Sequence, residues 1–350
     1  MTASERYYRV AGLAFAVELE SPWAFMRYTA PVEERIRRAA AGDVVAVMPT
    51  RAGDGEPPRT YVQSRSELPE DYSGRVLDFS QYEPFAADRT DDVIFRLKVC
   101  AGTPDSFEKA RLAGQAVRIM SMTDVLPYYH VYAWNGGTVF QFEGNGGAAD
   151  ATLFVDGTAG SGLFWAREGL NPYSVVFEIC FALRIMYTYN SMKYGAVLMH
   201  SSVIVENGSA VMFLGTSGTG KSTHSRLWLE NIPGAELLND DNPVIRLENG
   251  MINVYGSPWS GKTPCYRNAH APVRAMVRLF QAPENSARRL KGLEAFTNII
   301  SSASTIKWDR KVMDGVMSVI SAASMNLTCL CVNCLPDRDA AEMCCRETVK

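Results

Sequence analysis

Residues 7–19 and 93–100 are rich in aromatic and β-branched side chains, the pattern of strands. Tyr128 to Trp134, Thr138 to Glu143 and Ala151 to Val155 repeat that pattern in three shorter runs. These are parted by Asn135-Gly136-Gly137 and Asn145-Gly146-Gly147, residues that accept the positive φ angles of a tight hairpin. The three runs therefore predict an antiparallel meander. Thr50 to Gly74, crowded with Pro, Gly, Asp, Glu and Arg, predicts a long connection between the first two strands.

The period changes at Asn171-Pro172, where Asn can cap a helix and Pro can sit in its first turn. Helical spacing then runs to about Lys193, with Phe177, Phe181 and Tyr187 as core positions. Two strands follow, Ala196 to Val205 and Ser209 to Leu214, joined by the turn Glu206-Asn207-Gly208. Ser222 to Glu230 reads as a helix, and 244–247, 251–255 and 274–280 as strands. Helices near 292–305 and 308–322, a strand at 325–332 and a short terminal helix complete the chain. A β-rich stretch followed by interleaved strands and helices predicts two domains, 1–165 and 166–350, and 350 residues suffice for both.

Hydrophobic residues make up 47% and charged residues 21%, the proportions of an ordinary soluble globular protein. Lys and Arg number 35 against 38 Asp and Glu, so the net charge is −3; with no basic block, nucleic acid is not an expected partner. The longest apolar segment, Tyr173 to Met192, is interrupted by Glu178 and Arg184, and no membrane span is expected. Glu5, Arg6 and Arg9 precede a short apolar stretch closed by Glu18, which is strand-like rather than a secretory signal. The expected compartment is the cytoplasm, and the eight cysteines are then expected to be reduced.

The most specific chemistry lies in Gly215-Thr216-Ser217-Gly218-Thr219-Gly220-Lys221-Ser222, which meets every position of the phosphate-binding loop pattern. A short apolar run, Val211 to Leu214, precedes it and a helix follows, as the pattern requires. Glycines let backbone N–H groups close around phosphate oxygens, and the helix brings its positive end to the same place. Lys221 would reach the β/γ phosphates and Ser222 a Mg²⁺ ion. Downstream, Asp240-Asp241 ends a short apolar segment; one carboxylate can hold the metal while another takes a proton from an attacking hydroxyl. The same residues, in Asn239-Asp-Asp-Asn-Pro243, also suit an ordinary turn. His200 closes Val197-Leu-Met, one hairpin before the loop; alone it reads as a core histidine.

Taken together, His200-Ser201, the loop with Thr223 after it, and Asp240-Asp241 resemble the HPr kinase/phosphorylase and phosphoenolpyruvate carboxykinase superfamily. The resemblance covers about residues 190–335 and is specific over 197–241. It implies an α/β domain of α+β character, with the phosphate loop on a mixed, partly antiparallel sheet, preceded here by a β-rich domain that would select the acceptor. It also implies ATP, Mg²⁺ or Mn²⁺, and transfer of the γ-phosphate to a hydroxyl, such as serine, of a protein, peptide or small molecule. His200, Asp240, Asp241 and Lys221 are the implied catalytic residues, with Ser222 and both aspartates at the metal. A second loop, Tyr255 to Thr263, fits the position of substrate or metal contacts in these families; Lys262 and Arg267 are the cations there that could neutralise a transferring phosphoryl group. His224 and Arg226 read as surface residues or ligand neighbours. A homo-oligomer is compatible with the resemblance.

Two departures limit what is carried over. Residues up to about 165 do not resemble the usual N-terminal domain of HPr kinases, and their glycine-rich signature is not recognisable around 251–263. HPr itself is therefore not the expected acceptor, and decarboxylation is not the expected reaction. The alternatives are a nucleotide-binding regulatory protein without catalysis and a carboxykinase-like lyase. Cys329, Cys331, Cys334, Cys344 and Cys345 could hold zinc or form a redox pair. The alternation of Cys329 and Cys331 along a predicted strand, without two separated CxxC knuckles, favours a structural role.

Overall fold

The computed structural model describes residues 4–20, 23–25, 46–48, 59–61, 76–77, 79–123, 128–143, 149–170, 172–261 and 265–349. The turn read at 145–147, the Asn171 cap, Lys262 and the connection read at 50–74 (except 59–61) lie outside these residues. The chain divides into two compact units, residues 1–8 with 14–187 and residues 9–13 with 188–350. The division falls inside a helix, Pro172–Ser191, rather than before it.

In the first unit, β1 (Ser4–Val10) and β2 (Leu13–Leu19) are followed by two small ribbons, β3 (Ala24–Phe25) with β6 (Val76–Leu77) and β4 (Ala46–Met48) with β5 (Arg59–Tyr61). The main sheet continues through β7 (Ala86–Ala87), β8 (Arg96–Cys100), β9 (Val117–Met122), β10 (Tyr129–Trp134), β11 (Gly137–Glu143), β12 (Ala149–Val155) and β13 (Ser161–Ala166). Its order is β7-β1-β2-β8-β13-β12-β11-β10-β9. The antiparallel meander extends from β9 to β13, and parallel pairs then join β13 to β8 and β8 to β2. β9 and β13 carry no strong period-two signal and are set by pairing. α1 (Asp105–Leu112) buries only Phe107 and Ala110, too few positions for a helical period to show. On α2 (Pro172–Ser191) Tyr187 is fully buried, as expected of a core position, whereas Phe177 and Phe181 are only half-buried, the Phe181 ring lying 5.7 Å from both Tyr129 and Phe142.

The second unit holds β14 (Ala196–Leu198), β15 (Ser201–Glu206), β16 (Ser209–Leu214), α3 (Lys221–Asn231), β17 (Glu236–Asp241), β18 (Val244–Glu248), β19 (Met251–Tyr255) and β20 (His270–Gln281). β21 (Ser286–Arg289), α4 (Gly292–Ile300), α5 (Arg310–Asn326), β22 (Thr328–Cys334) and α6 (Arg338–Thr348) follow. The sheet runs β14-β18-β19-β20-β16-β15-β17, with β22 also paired to β20 and β21 to β22. It is a mixed sheet: β16 lies parallel to β20 and antiparallel to β15, which is antiparallel to β17. Ile204, Val211, Phe213, Val277 and Leu330 form one core with Trp228 of α3 and Cys344 of α6. Burying Phe213 and Trp228 contributes about 1.5–3 kcal/mol or more each and fixes α3 to the sheet. The predicted strand 196–205 is broken at Met199-His200, whose N–H groups leave the ladder for Pro243 O (2.9 Å) and Ser302 O (2.6 Å). His200 therefore stands between strands.

Candidate functional site

Register places the site. Ser201 pairs with Leu214 on one side and Asp241 on the other, and Leu214 pairs with Arg278. Asp241, Ser201, Leu214 and Arg278 thus form one row across four strands, about 4.8 Å apart. β16, β17 and β20 run the same way, so three carboxyl ends share this edge, the usual position for ligands on such sheets. The loop 215–220 leaves from Leu214, His200 enters beside it, and the aspartates end β17.

The loop is closed by its own side chains. Thr219 donates to Thr216 O through both Oγ1 (2.9 Å) and N (3.3 Å), and Gln281 Nε2 donates to Gly218 O at 3.1 Å. A Cβ at Gly215 would collide with Thr219 Oγ1, so that position requires glycine. Gly220, at φ 95°, is the left-handed cap of α3, a conformation costly for any residue with a Cβ. No side chain caps α3, which leaves its first-turn N–H groups facing the loop.

Lys221 is buried and its Nζ donates three ways: to Gly215 O (2.9 Å), Thr216 O (3.2 Å) and His200 Nε2 (2.8 Å). An ammonium has no acceptor capacity, so Nε2 must be the unprotonated nitrogen of a neutral imidazole. The ring proton then sits on Nδ1, which lies 3.2 Å from Asp241 Oδ1. Lys221, His200 and Asp241 thus stand in a row, joined by one hydrogen bond and one close imidazole–carboxylate contact. Burial lowers the Lys221 pKa, Asp241 and Asp240 work against that shift, and Arg278 adds to it.

The two aspartates differ in setting. Asp240 is buried at 5% exposure and accepts from Ser222 Oγ at 3.1 Å. The Asp241 side chain is 33% exposed and accepts from Asn242 Nδ2 at 2.8 Å through its other oxygen. The turn reading of this doublet is replaced by strand: both residues close β17. The second loop braces them from outside, with Gly261 N and Ser260 Oγ donating to Asp240 O (2.6 and 3.1 Å). Asn239 is held by Ser257 and in turn accepts from Asp241 N at 3.1 Å.

Not every expected residue arrives here. Arg267 is committed to the far end of β17, donating to Leu237 O (2.7 Å) and Glu236 Oε2 (2.9 Å), so the expectation that it meets a phosphoryl group is withdrawn. His224 is not at the surface: its ring lies edge-on to Phe213 at 4.8 Å and burial holds its pKa down near 4. A neutral core imidazole results. Arg226 is exposed and pairs with Glu230 at 3.7 Å. Cys329 and Cys344 are core thiols, and burial pushes Cys329 up to about 11.

Arg278 and Gln281 were not legible as site residues. Arg278 interrupts the short apolar run Ala275 to Phe280, and that interruption was the available signal.

Among the described residues no helix is long and apolar enough to cross a membrane. No family model and no curated protein matches the chain. Among solved structures, the HPr(Ser) kinase/phosphatase from Coxiella burnetii is similar at 14% identity over 43% of this chain and 92% of that chain. The TM-score is 0.26, a distant likeness that carries no functional argument.

Proposed function

We propose that this protein transfers the γ-phosphoryl group of ATP to a hydroxyl-bearing acceptor. The observation that carries the reading is the Lys221–His200–Asp241 chain beside a complete phosphate loop, with Ser222 and Asp240 adjoining it. A protein that only held nucleotide would have no use for a carboxylate oriented by a neutral histidine.

In this reading Asp241, the more exposed carboxylate, takes the proton of the acceptor hydroxyl. The acceptor oxygen forms a bond to the γ-phosphorus as the bond to the β-phosphate oxygen breaks, its electron pair leaving on ADP. His200 holds Asp241 in place and keeps its own proton on Nδ1. Lys221 and the loop N–H groups meet the growing negative charge, turning from carbonyl acceptors to phosphate oxygens. Ser222 Oγ and the Asp240 carboxylate are adjacent hard-oxygen donors and fit a Mg²⁺ site. No group of three or more His, Cys, Asp or Glu among the described residues is arranged for a metal. Water and phosphate oxygens would therefore complete the shell; the ion, when bound, neutralises phosphate charge.

Purified protein incubated with γ-labelled ATP, Mg²⁺ and cell extract, split into protein and metabolite fractions, should label one fraction. Lys221→Ala and Asp241→Asn should each abolish labelling. Undiminished transfer in both variants sinks the assignment, and tight ATP binding with no transfer identifies a nucleotide-held regulatory protein instead.

A further inference from the structure

Among the described residues, Arg278 is a cation at this edge whose charge no carboxylate answers. It stands level with Leu214, one strand away from the residue that launches the phosphate loop. Its Nη1 donates to Ser301 Oγ (3.0 Å) and Ser302 Oγ (3.2 Å), both neutral acceptors that satisfy hydrogen bonds without offsetting charge. Its Nε is buried and has no hydrogen-bond partner. Among the described residues no carboxylate lies within ion-pair distance of it. A half-buried guanidinium left in this condition is costly unless an anion completes it.

The neighbourhood indicates which anion. Ser302, which holds Arg278, also accepts from His200 N at 2.6 Å, so the guanidinium is tied to the segment that carries the His200 imidazole. Three residues on, Gln281 holds the outer part of the loop at Gly218 O. β20 therefore walls the loop on one flank with a positive charge, while β17 walls the other with Asp240 and Asp241. A metal and an acceptor hydroxyl belong to the acidic flank. The terminal phosphoryl group, which carries the most charge of a nucleoside triphosphate, belongs between Lys221 and the basic flank.

We propose that Arg278 contacts the terminal phosphate of the bound nucleotide and is the residue that distinguishes a triphosphate from a diphosphate at this site. The proposal rests on the nucleotide reading above and adds a specificity residue to it. Guanidinium–phosphate contacts are charge-assisted and directional, and a lysine reproduces the charge without the fork.

The test is calorimetric titration of wild type, Arg278→Met, Arg278→Lys and the Ser301→Ala/Ser302→Ala double variant with MgATP and MgADP. Thermal unfolding of each variant serves as the folding check. Wild type should prefer ATP. Arg278→Met should lose about ten- to a hundredfold in ATP affinity while ADP affinity stays within about twofold, and Arg278→Lys should fall between. The double serine variant should lose less ATP affinity than Arg278→Met, because it loosens the guanidinium without removing it. An ATP/ADP preference unchanged in Arg278→Met overturns the proposal. Equal loss of both nucleotides in Arg278→Met and Arg278→Lys also overturns it, since that is the signature of a clamp on residues 301–302. A wild type that binds neither nucleotide overturns the nucleotide reading itself.

Discussion

His200→Ala, alone and combined with Asp241→Asn, tests whether the chain at the sheet edge acts as one unit. The substitution removes the acceptor of the 2.8 Å bond from Lys221 and the ring nitrogen 3.2 Å from Asp241. Asp241 keeps its bond from Asn242, and Lys221 its bonds to two loop carbonyls. A positioned general base is worth about 10²–10⁴ in rate, or about 3–5 kcal/mol of barrier. Asp241→Asn keeps the shape and the acceptor oxygen but cannot take a proton, so it should lose that whole range. His200→Ala leaves the carboxylate intact but without the imidazole beside it, and should lose a large part of that range. Because both changes disable one proton transfer, the double variant should be no more than about threefold slower than Asp241→Asn alone. The assay is single-turnover loss of γ-labelled ATP, with water as the acceptor hydroxyl, so that no partner need be known. Calorimetric ATP affinity is followed in parallel and should change less than tenfold in each variant. A double variant whose loss is the product of the two single losses refutes the reasoning, since independent groups would multiply.

Two further predictions concern stability. Ser202 Oγ and Ser225 Oγ lie 2.6 Å apart, both buried, tying α3 to β15. Ser202→Ala or Ser225→Ala should each cost about 1–3 kcal/mol in urea unfolding, while the double variant costs clearly less than their sum; strict additivity argues against the pair. Glu178 is buried with one oxygen unpartnered; burial, with a smaller contribution from Asp150, raises its pKa to about 8. The native state then keeps a proton that the unfolded chain releases, so stability falls as pH rises from about 4.5 through 8, by up to about 5 kcal/mol. The melting temperature should drop between pH 5 and pH 9 and drop less in Glu178→Gln; parallel curves for the two proteins would falsify the assignment.

The loop at 215–222 was legible because its pattern occupies consecutive residues: a glycine at a collision point, one at a left-handed cap, then lysine and serine in the next helical turn. The meander and α2 were legible because strong periods in aromatic residues admit one buried face. Local pattern could not show that the predicted strand 196–205 breaks at His200. The break comes from Pro243 and Ser302, residues distant in sequence that supply carbonyls to Met199 and His200. Nor could spacing separate Arg267 from Arg278. Arg267 follows the second loop closely but is paired at the far end of β17, whereas Arg278 reaches the site edge through strand register. His224, one helical turn past the loop, faces Phe213 because α3 docks on β16 by Trp228. The sequence by itself determined which backbone could wrap a phosphate and which carboxylates stood near it in the chain. Only the tertiary structure decided which charges share the edge, because pairing register, not sequence distance, sets what lies beside Leu214.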